Sequence, residues 1–357
     1  MRRIVRPYVN GSSGGFENGK GSMRLKPTKH GYYHNEVADI IASSGNEDMV
    51  PELSAICTEY CLDVLGSERY SQSLVGYCCM HGRFVEGLIP GNYYGQAVIP
   101  KVNGTHGRIL NLKTVTNTVL RCGGHLPDLA YYINGKCILV DSGCVSLDAV
   151  ADALQEHARV VIKLDDSSKG QGVYLLDPKE LKSFVQGTNV GAFVVQRHIV
   201  QHRDLDEFGN SSTSTLRVYT CSDDSGRISY RAAFARFGIG QSEYIQSLHQ
   251  IKVPISPEGR FSDSAYMPDY SRLSACPATG APFASFRYPR FDAAVQLAVR
   301  LHATVPYIGI IGWDMVVCQA GDIEIMEWNT MHPSGTFIEA VMGPCFLGLG
   351  WETLWRH

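Results

Sequence analysis

The chain has 357 residues, of which 44% are hydrophobic and 19% are charged, and its formal net charge is −3 at pH 7. This hydrophobic content is sufficient for buried cores, and the length predicts two or three domains or subdomains. The charge gives no reason to expect nucleic acid as a partner. No apolar run is long enough to predict a membrane-spanning helix. The start of the chain lacks the apolar core of a signal peptide, so we expect a cytoplasmic protein.

Glycine, serine and asparagine are frequent in the first thirty residues, which predicts a flexible or loop-rich segment. Apolar residues at helical spacing predict helices over 36–43 and 50–65. Between 84 and 110, glycine, proline and asparagine predict loops and short strands. We place a boundary near residue 110 and treat 1–110 as an N-terminal region.

Eleven cysteines are dispersed along the chain. Their odd number, without a secretory signal, argues against a complete disulfide framework. Cys57 and Cys61, together with the cysteines and histidine of 78–81, form either a zinc site or a set of free thiols. The spacing contains no CxxC pair, so we expect free buried thiols.

A lysine and a glycine-rich loop lie in a predicted hairpin. A β-branched segment over 159–164 predicts a strand that carries Lys163 near its end, and 173–176 predicts a second strand. Backbone N–H groups and small hydroxyls in such a loop can approach the oxygens of a polyphosphate. No GxxxxGK[ST] or GxGxxG motif occurs there. The alternatives are an ordinary tight turn and a lysine that extends to solvent. The loop candidates are Ser167, Ser168, Lys169, Gly170 and Gly172.

Two later strands each carry an arginine in otherwise apolar sequence, Arg217 and Arg236. A buried arginine needs an acidic or phosphate partner. We expect Arg236 to contact phosphate, whereas Arg217 contacts phosphate or forms a salt bridge with a carboxylate. Amphipathic helices are predicted over 146–157 and 291–304.

Residues 312–329 predict a β-hairpin, because apolar and polar residues alternate on both sides of a Gln-Ala-Gly-Asp turn. With a two-residue Ala-Gly loop, counting back along both strands places Asp314 opposite Glu327, about 5 Å apart at Cβ. Asn329 is two residues from Glu327 and shares its face. Two carboxylates and one amide predict a Mg²⁺ site. The alternative is a surface hairpin with scattered acids.

Taken together, these segments resemble the ATP-grasp superfamily from residue 111 to residue 329. The Gly-Trp-Asp element at 312–314 and the Gln-His element at 201–202 are similar to those of the sugar-transfer-associated ATP-grasp group. The other matching segments, in chain order, are 111–116 with 124–127 (the opening lysine segment), 160–163 with 170–172 (the second lysine and the phosphate-covering loop), 193–199 (the strand and hinge beside adenine), and 215–219 with 233–238 (the arginine strands).

The resemblance implies a mixed α/β (α+β) architecture, the ATP-grasp fold, in which two α/β subdomains grip ATP after the N-terminal region. Residues 111–198 would form the subdomain with the Gly-rich lid, and 199–357 the C-terminal subdomain with the metal site. The implied ligands are ATP and Mg²⁺, with Mn²⁺ as an alternative. Besides the loop, the implied site residues are Lys113, Lys163, Gln196, Arg197, Ile199 and Asp204 for ATP; Asp314, Glu327 and Asn329 for the metal; and Arg217, Arg236 and His332 for catalysis.

Some positions have competing interpretations or depart from the group's pattern. Gln201 and His202 compete with Asp204 for the ribose hydroxyls, and His332 binds an acceptor carboxylate or caps the next helix. Many of these enzymes carry an Asn and a Gly-Gly pair after the second arginine strand, where they help to hold the acceptor or the phosphates. Residues 240–252 contain neither. An acidic residue usually precedes the first lysine, and here Leu112 does.

The implied activity is ATP-dependent ligation of a carboxylate to an amine through an acyl phosphate. The substrates would be small molecules, with a sugar carboxylate, an amino acid or a peptide as the acceptor. The alternatives are a nucleotide-binding scaffold without ligase activity and a small-molecule kinase on the same fold. The sequence predicts no particular oligomeric state.

Overall fold

The computed structural model describes residues 30–165, 167, 172–188, 191–209, 212–239, 249–284 and 286–356, with side chains from residue 36 onward. The glycine-rich start of the chain lies outside the described residues. The same holds for the loop candidates Ser168, Lys169 and Gly170, and for 240–248 of the segment that departs from the family pattern.

The strands in the described part of the chain form two sheets in which all neighbours are antiparallel. The small sheet has the order β3-β2-β1-β6-β4-β5, and the large sheet has the order β11-β10-β9-β8-β7-β12-β13. Their bounds are β1 Asp128–Ile133, β2 Lys136–Leu139, β3 Gly143–Val145, β4 Val160–Leu164, β5 Val173–Leu176, β6 Ala192–Arg197, β7 Thr215–Ser222, β8 Ile228–Gly238, β9 Gln250–Ile255, β10 Ala265–Tyr266, β11 Arg272–Leu273, β12 Ile310–Val317 and β13 Ile323–Asn329.

Helices precede, connect and follow these strands. Their bounds are α1 His30–Ser44, α2 Val50–Asp63, α3 Ser71–His81, α4 Gly91–Tyr93, α5 Ile99–Val102, α6 Gly104–Leu110, α7 Thr116–Leu120, α8 Leu147–Ala153, α9 Leu181–Gly187, α10 Phe291–His302 and α11 Thr336–Met342. The predicted helices near 36–43, 50–65, 146–157 and 291–304 are confirmed as α1, α2, α8 with a following 3-10 turn, and α10.

The prediction of loops and short strands over 84–110 is wrong. The chain there forms α4, α5 and α6, with a π-helical turn between α4 and α5. Pro90 lies in extended backbone just before α4, and Pro100 lies in the first turn of α5, where its missing N–H removes no helical hydrogen bond. Gly104 begins α6 with a φ of +50°. These residues mark helix starts, and their presence alone does not separate a helix start from a loop.

The two faces of the large sheet have different neighbours. On one face, Val218 and Trp313 pack in a core with Leu297 of α10. On the other face, Tyr219 and Phe234 pack with the N-terminal helices and with α11. The N-terminal region therefore shares a core with the large sheet. The proposed division at residues 110 and 198 stays a prediction.

Two further observations concern the helices. The cysteines of α2 and α3 are free and buried, and the Sγ atoms of Cys57 and Cys78 lie 3.9 Å apart. Within the described ranges, no helix combines the length and the apolar character needed to cross a bilayer.

Candidate functional site

A cavity of about 550 Å³ lies between the small sheet and the large sheet. This volume is in the range of small-molecule and cofactor sites. Many of the residues singled out from the sequence line it together. They are Lys113, Lys163, Ser167, Gln196, Arg197, Ile199, Arg217, Arg236, Asp314, Glu327, Asn329 and His332.

The β12–β13 hairpin places Asp314 opposite Glu327, as predicted. The predicted two-residue loop is wrong, because the backbone N–H of Cys318 bonds to the carbonyl of Asp322, which leaves three residues in the loop. That shift would move the two carboxylates out of register. A bulge at Met326 adds one residue to β13 and restores the pairing.

The bulge also gives Lys163 a partner. Lys163 is buried, and its ammonium donates a hydrogen bond of 3.1 Å to the carbonyl oxygen of Met326. Burial lowers the pKa of this lysine. The side chain therefore crosses from the small sheet to the large sheet, and the alternative of a lysine that extends to solvent does not describe it.

Asp314 is held by both arginines. It lies opposite Arg217 in the neighbouring strand, and Arg217 donates from Nε and Nη2 to its two oxygens, over 2.6 and 2.9 Å. Arg236 adds an ion pair to Asp314 and donates to Thr215 Oγ1 over 2.8 Å. Burial alone would raise the pKa of Asp314, but the two guanidinium groups hold it well below its usual range. Of the two alternatives for Arg217, a phosphate contact or a salt bridge with a carboxylate, the structure shows the salt bridge.

Gly312 makes room for this arrangement, because a Cβ there would lie 3.1 Å from Arg217 Nη1 and 3.0 Å from Pro333 Cβ. Its carbonyl accepts a 3.2 Å hydrogen bond from Asn329 Nδ2. The close approach of these side chains thus explains why a glycine occupies this position of the Gly-Trp-Asp element.

Lys113 begins a 3-10 turn, Lys113–Val115, and links the hairpin loop to the large sheet. Its ammonium donates to the carbonyl of Ser167 over 3.1 Å and lies 3.9 Å from Glu327 Oε1. The next residue, Thr114, donates its backbone N–H to Asp165 Oδ1 over 3.0 Å. The turn and the start of the loop are therefore held together beside the carboxylate pair.

The strands on both sides of the Gly-rich loop are confirmed as β4 and β5. Gly172 ends the loop with a φ of +72°, and a Cβ there would lie 2.7 Å from the Cβ of Ser167. Only glycine fits this close approach without strain. Gly172 supports the loop but does not line the cavity.

The hinge strand β6 supplies one wall. Gln196 uses its amide to bond Asp128 over 2.7 Å, and Arg197 forms an ion pair with the buried Glu324. Ile199 packs in a small apolar cluster with Val316, Cys318 and Met326. Of this cluster, Ile199 and Met326 also line the cavity.

The three ribose candidates lie outside the cavity lining. Asp204 lies on the 3-10 turn Arg203–Leu205, and its nearest ionic neighbours are His202 and Arg203. Gln201 accepts hydrogen bonds from the backbone N–H and the hydroxyl of Ser214. Gln201 and Asp204 therefore stabilise the local chain.

His332 follows β13, lines the cavity, and its ring lies edge-on to the Tyr94 ring at 5.6 Å between centroids. The imidazole precedes α11 by several residues, and the N-cap of that helix is Gly335. The alternative of a helix cap is therefore not what the structure shows.

The carboxylate and amide oxygens suit Mg²⁺. Asp314 already accepts two hydrogen bonds or ion pairs on each oxygen, from the arginines and from Asn329 Nδ2. It can coordinate a cation only if one of these partners moves. Glu327, with 29% of its side chain exposed, has more free capacity. In the described part of the chain, no group of three or more His, Cys, Asp or Glu side chains is placed to hold a metal. The metal site stays a prediction.

The sequence reasoning missed residues on the far side of the cavity. Lys252, Phe337 and Glu36 all line it. A signal for Lys252 exists, because it is the charged residue in the otherwise apolar Ile-Lys-Val-Pro-Ile strand. Glu36 and Phe337 come from helices distant in sequence, and no local pattern marks them.

The family model described as sugar-transfer associated ATP-grasp matches residues 98–349. The chain belongs to the sugar-transfer-associated ATP-grasp family. Its two facing antiparallel sheets are those of the ATP-grasp fold, so the predicted fold class is confirmed. A comparison with curated proteins gives no match.

Several solved structures are similar to this chain at low sequence identity. The Coxiella burnetii D-alanine–D-alanine ligase is 13% identical, with 72% of this chain and 60% of that chain covered and a TM-score of 0.39. The biotin carboxylase domain of Hydrogenobacter thermophilus 2-oxoglutarate carboxylase is 11% identical, with 69% and 44% covered and a TM-score of 0.41. The ATP-grasp ligase PsnB is 15% identical, with 81% and 70% covered and a TM-score of 0.41. The chain thus spans less than two thirds of the first two proteins.

Proposed function

We propose that this family member is an ATP-dependent ligase that joins a small-molecule carboxylate to an amine through an acyl phosphate. The observation that carries the proposal is the convergence of Lys113 and Lys163 on β13, beside the Asp314–Glu327 pair. Among the described residues, six Lys and Arg side chains and three acidic ones line the cavity. This excess of positive charge favours a polyphosphate over a neutral ligand.

In the proposed reaction, an oxygen of the acceptor carboxylate attacks the γ-phosphorus of ATP, the bond to the β-phosphate oxygen breaks, and ADP leaves. The amine nitrogen then attacks the acyl carbon, inorganic phosphate leaves, and the nitrogen loses a proton. Lys113, Lys163 and Arg236 would neutralise phosphate oxygens, which is the main requirement of phosphoryl transfer. The loop that ends at Gly172 would exclude water from the acyl phosphate.

Mg²⁺, or Mn²⁺ in its place, would be held by Glu327 and Asn329, with Asp314 joining when an arginine turns to the phosphates. When bound, it would neutralise phosphate oxygens. Asp314 would then exchange a guanidinium partner for the metal ion, because arginine and metal compete for the same carboxylate.

One observation favours the scaffold alternative, in which the protein binds a nucleotide without ligation. Both oxygens of Asp314 are fully used by protein donors. The small-molecule kinase uses the same first step but transfers the phosphoryl group to a hydroxyl, which gives a stable ester.

The three functions give different products, so one assay separates them. ADP release from Mg-ATP is measured with pooled carboxylates plus hydroxylamine as a general amine and, separately, with pooled alcohols, and the products are analysed by mass spectrometry. A ligase gives a hydroxamate and a kinase gives a phosphate ester. Mg-ATP binding by calorimetry without ADP release from any pool would contradict the ligase and support the scaffold.

A further inference from the structure

The cavity has a second basic region, on the side of the large sheet away from β13. Lys252 of β9 lies opposite Arg236 of β8, and both side chains line the cavity. Four strand spacings separate β9 from β13, so Lys252 lies on the order of 19 Å from the strand that Lys163 contacts. Lys163 and Lys252 therefore contact different parts of a ligand bound in the cavity.

The other basic residues of the lining have protein partners. The arginines 217 and 236 bind Asp314, and Arg197 pairs with Glu324. The ammonium groups of Lys113 and Lys163 donate to backbone carbonyls. Among the described residues, the side chain of Lys252 makes no hydrogen bond and no ion pair. Its closest partners are the rings of Phe337, at 4.8 Å from Nζ to the centroid, and Tyr270, at 5.8 Å.

The surroundings of Lys252 penalise its charge. Burial lowers its pKa from 10.5 to about 8, and the attraction of Glu36 offsets only part of this effect. The hydroxyl of Tyr270 donates to Glu36 Oε1 over 2.9 Å, so this carboxylate already has a polar partner in the wall. A partly buried ammonium on an aromatic wall is stabilised when an anion from a ligand joins it.

We propose that Lys252 binds a second anionic group of the acceptor, so that the substrate is a carboxylate with another negative charge. This inference rests on the proposed ligase function. Arg236 and Lys252 are cross-strand neighbours, whose Cβ atoms lie about 5 Å apart. The reacting carboxylate would lie toward Arg236 and the γ-phosphate, and the second anion would lie over Phe337. Succinate, glutarate, aspartate and glutamate have carboxylates at a matching separation.

The test compares matched pairs of acceptors in the hydroxamate assay. The probes are butyrate with succinate and pentanoate with glutarate, each with Mg-ATP and hydroxylamine. The proteins are the unmodified chain, Lys252→Met, Lys252→Arg and a control, Lys136→Met. Lys136 serves as the control because it is an exposed lysine of the small sheet outside the cavity. Lys252→Met keeps the apolar stem on the aromatic wall and removes the charge.

We expect the unmodified protein to prefer the dianionic member of at least one pair. Lys252→Met should lower kcat/KM for that member by about 10- to 100-fold and leave its monoanionic partner nearly unchanged. Lys252→Arg and Lys136→Met should keep the preference. Absence of a dianion preference in every pair, including absence of any product, overturns the inference, as does a preference that survives in Lys252→Met.

Mg-ATP calorimetry on the same proteins separates this inference from the proposed function. Lys252→Met should bind Mg-ATP as the unmodified protein does. If the unmodified protein does not bind Mg-ATP, the ligase proposal itself fails. If it binds Mg-ATP and forms hydroxamate without any dianion preference, only the role of Lys252 fails.

Discussion

Lys163 of the small sheet donates a hydrogen bond to the backbone carbonyl of Met326 in the large sheet, over 3.1 Å. This carbonyl is in the bulge of β13, the same irregularity that brings Asp314 opposite Glu327. A single extra residue thus sets the carboxylate register and places an acceptor for a lysine that crosses between the sheets.

The first prediction concerns the charge of Lys163. Lys163→Met keeps the apolar stem, so the melting temperature should change little. Affinity for Mg-ATP should fall by about 10- to 100-fold, because a charge-assisted contact contributes roughly 1.5–3 kcal/mol. Turnover should fall further, since charge moves in the transition state. Calorimetry and steady-state kinetics measure both effects, with Lys136→Met as the exposed-lysine control. Equal affinity in the two variants would remove Lys163 from the site.

The second prediction separates the two carboxylates of the hairpin. Glu327 is partly exposed, so Glu327→Gln should keep the fold and abolish Mg²⁺-dependent turnover. Asp314 is buried between two arginines, so Asp314→Asn leaves them without a charged partner and should cost about 3–5 kcal/mol of stability. Thermal melts and Mg²⁺ titrations of turnover check both variants. Normal turnover in Glu327→Gln would contradict the metal site.

The third prediction uses two glycines of positive φ. Gly172 has a φ of +72° and no room for a Cβ, whereas Gly135 has a φ of +79° and open space around it. Both alanine variants carry backbone strain, but only Gly172→Ala also forces Ser167 away. It should therefore lose more thermal stability, and more affinity for Mg-ATP, than Gly135→Ala. Similar losses in both variants would show that the contact with Ser167 does not matter.

The fourth prediction concerns pH and Glu339, a fully buried residue of α11. Burial raises the pKa of its carboxyl group from 4.5 to about 8, and its oxygens accept hydrogen bonds from the backbone N–H groups of Ile89 and Cys345. At a pH between these two pKa values, Glu339 is protonated in the folded chain and ionised in the unfolded chain. The resulting stabilisation is complete below about pH 4.5 and is lost as pH rises through 8.

Glu339→Gln removes this titration, so the difference in unfolding free energy between the unmodified protein and the variant should decrease from pH 5 to pH 8. The slope approaches about 1.4 kcal/mol per pH unit. Denaturant unfolding across this range measures it, with the exposed Glu47→Gln as control. A difference that stays constant with pH would show that Glu339 is ionised in the folded chain.

The strands that carry the site could be read from the sequence. Alternation of apolar and polar residues identified β12 and β13 with their acids, and a run of β-branched residues identified β4 with Lys163. Apolar sequence around Arg217 and Arg236 indicated β7 and β8, and all of these are local properties of a strand. The face shared by Glu327 and Asn329 follows from the same period of two. Membership of the family followed from the order of these segments along the chain.

Only the tertiary structure decided how these strands meet. The hairpin loop has one residue more than predicted, and the bulge at Met326 compensates for this shift in the pairing register. No sequence signal indicated either feature. Both arginines turn to Asp314 because β7, β8 and β12 are neighbours in one sheet, and that order depends on long-range pairing. Lys252 of β9 and Glu36 of α1 line the same cavity, although α1 and β9 lie far apart in the chain. Periodicity is set by nearby residues, whereas such encounters depend on the packing of segments that lie far apart in the chain.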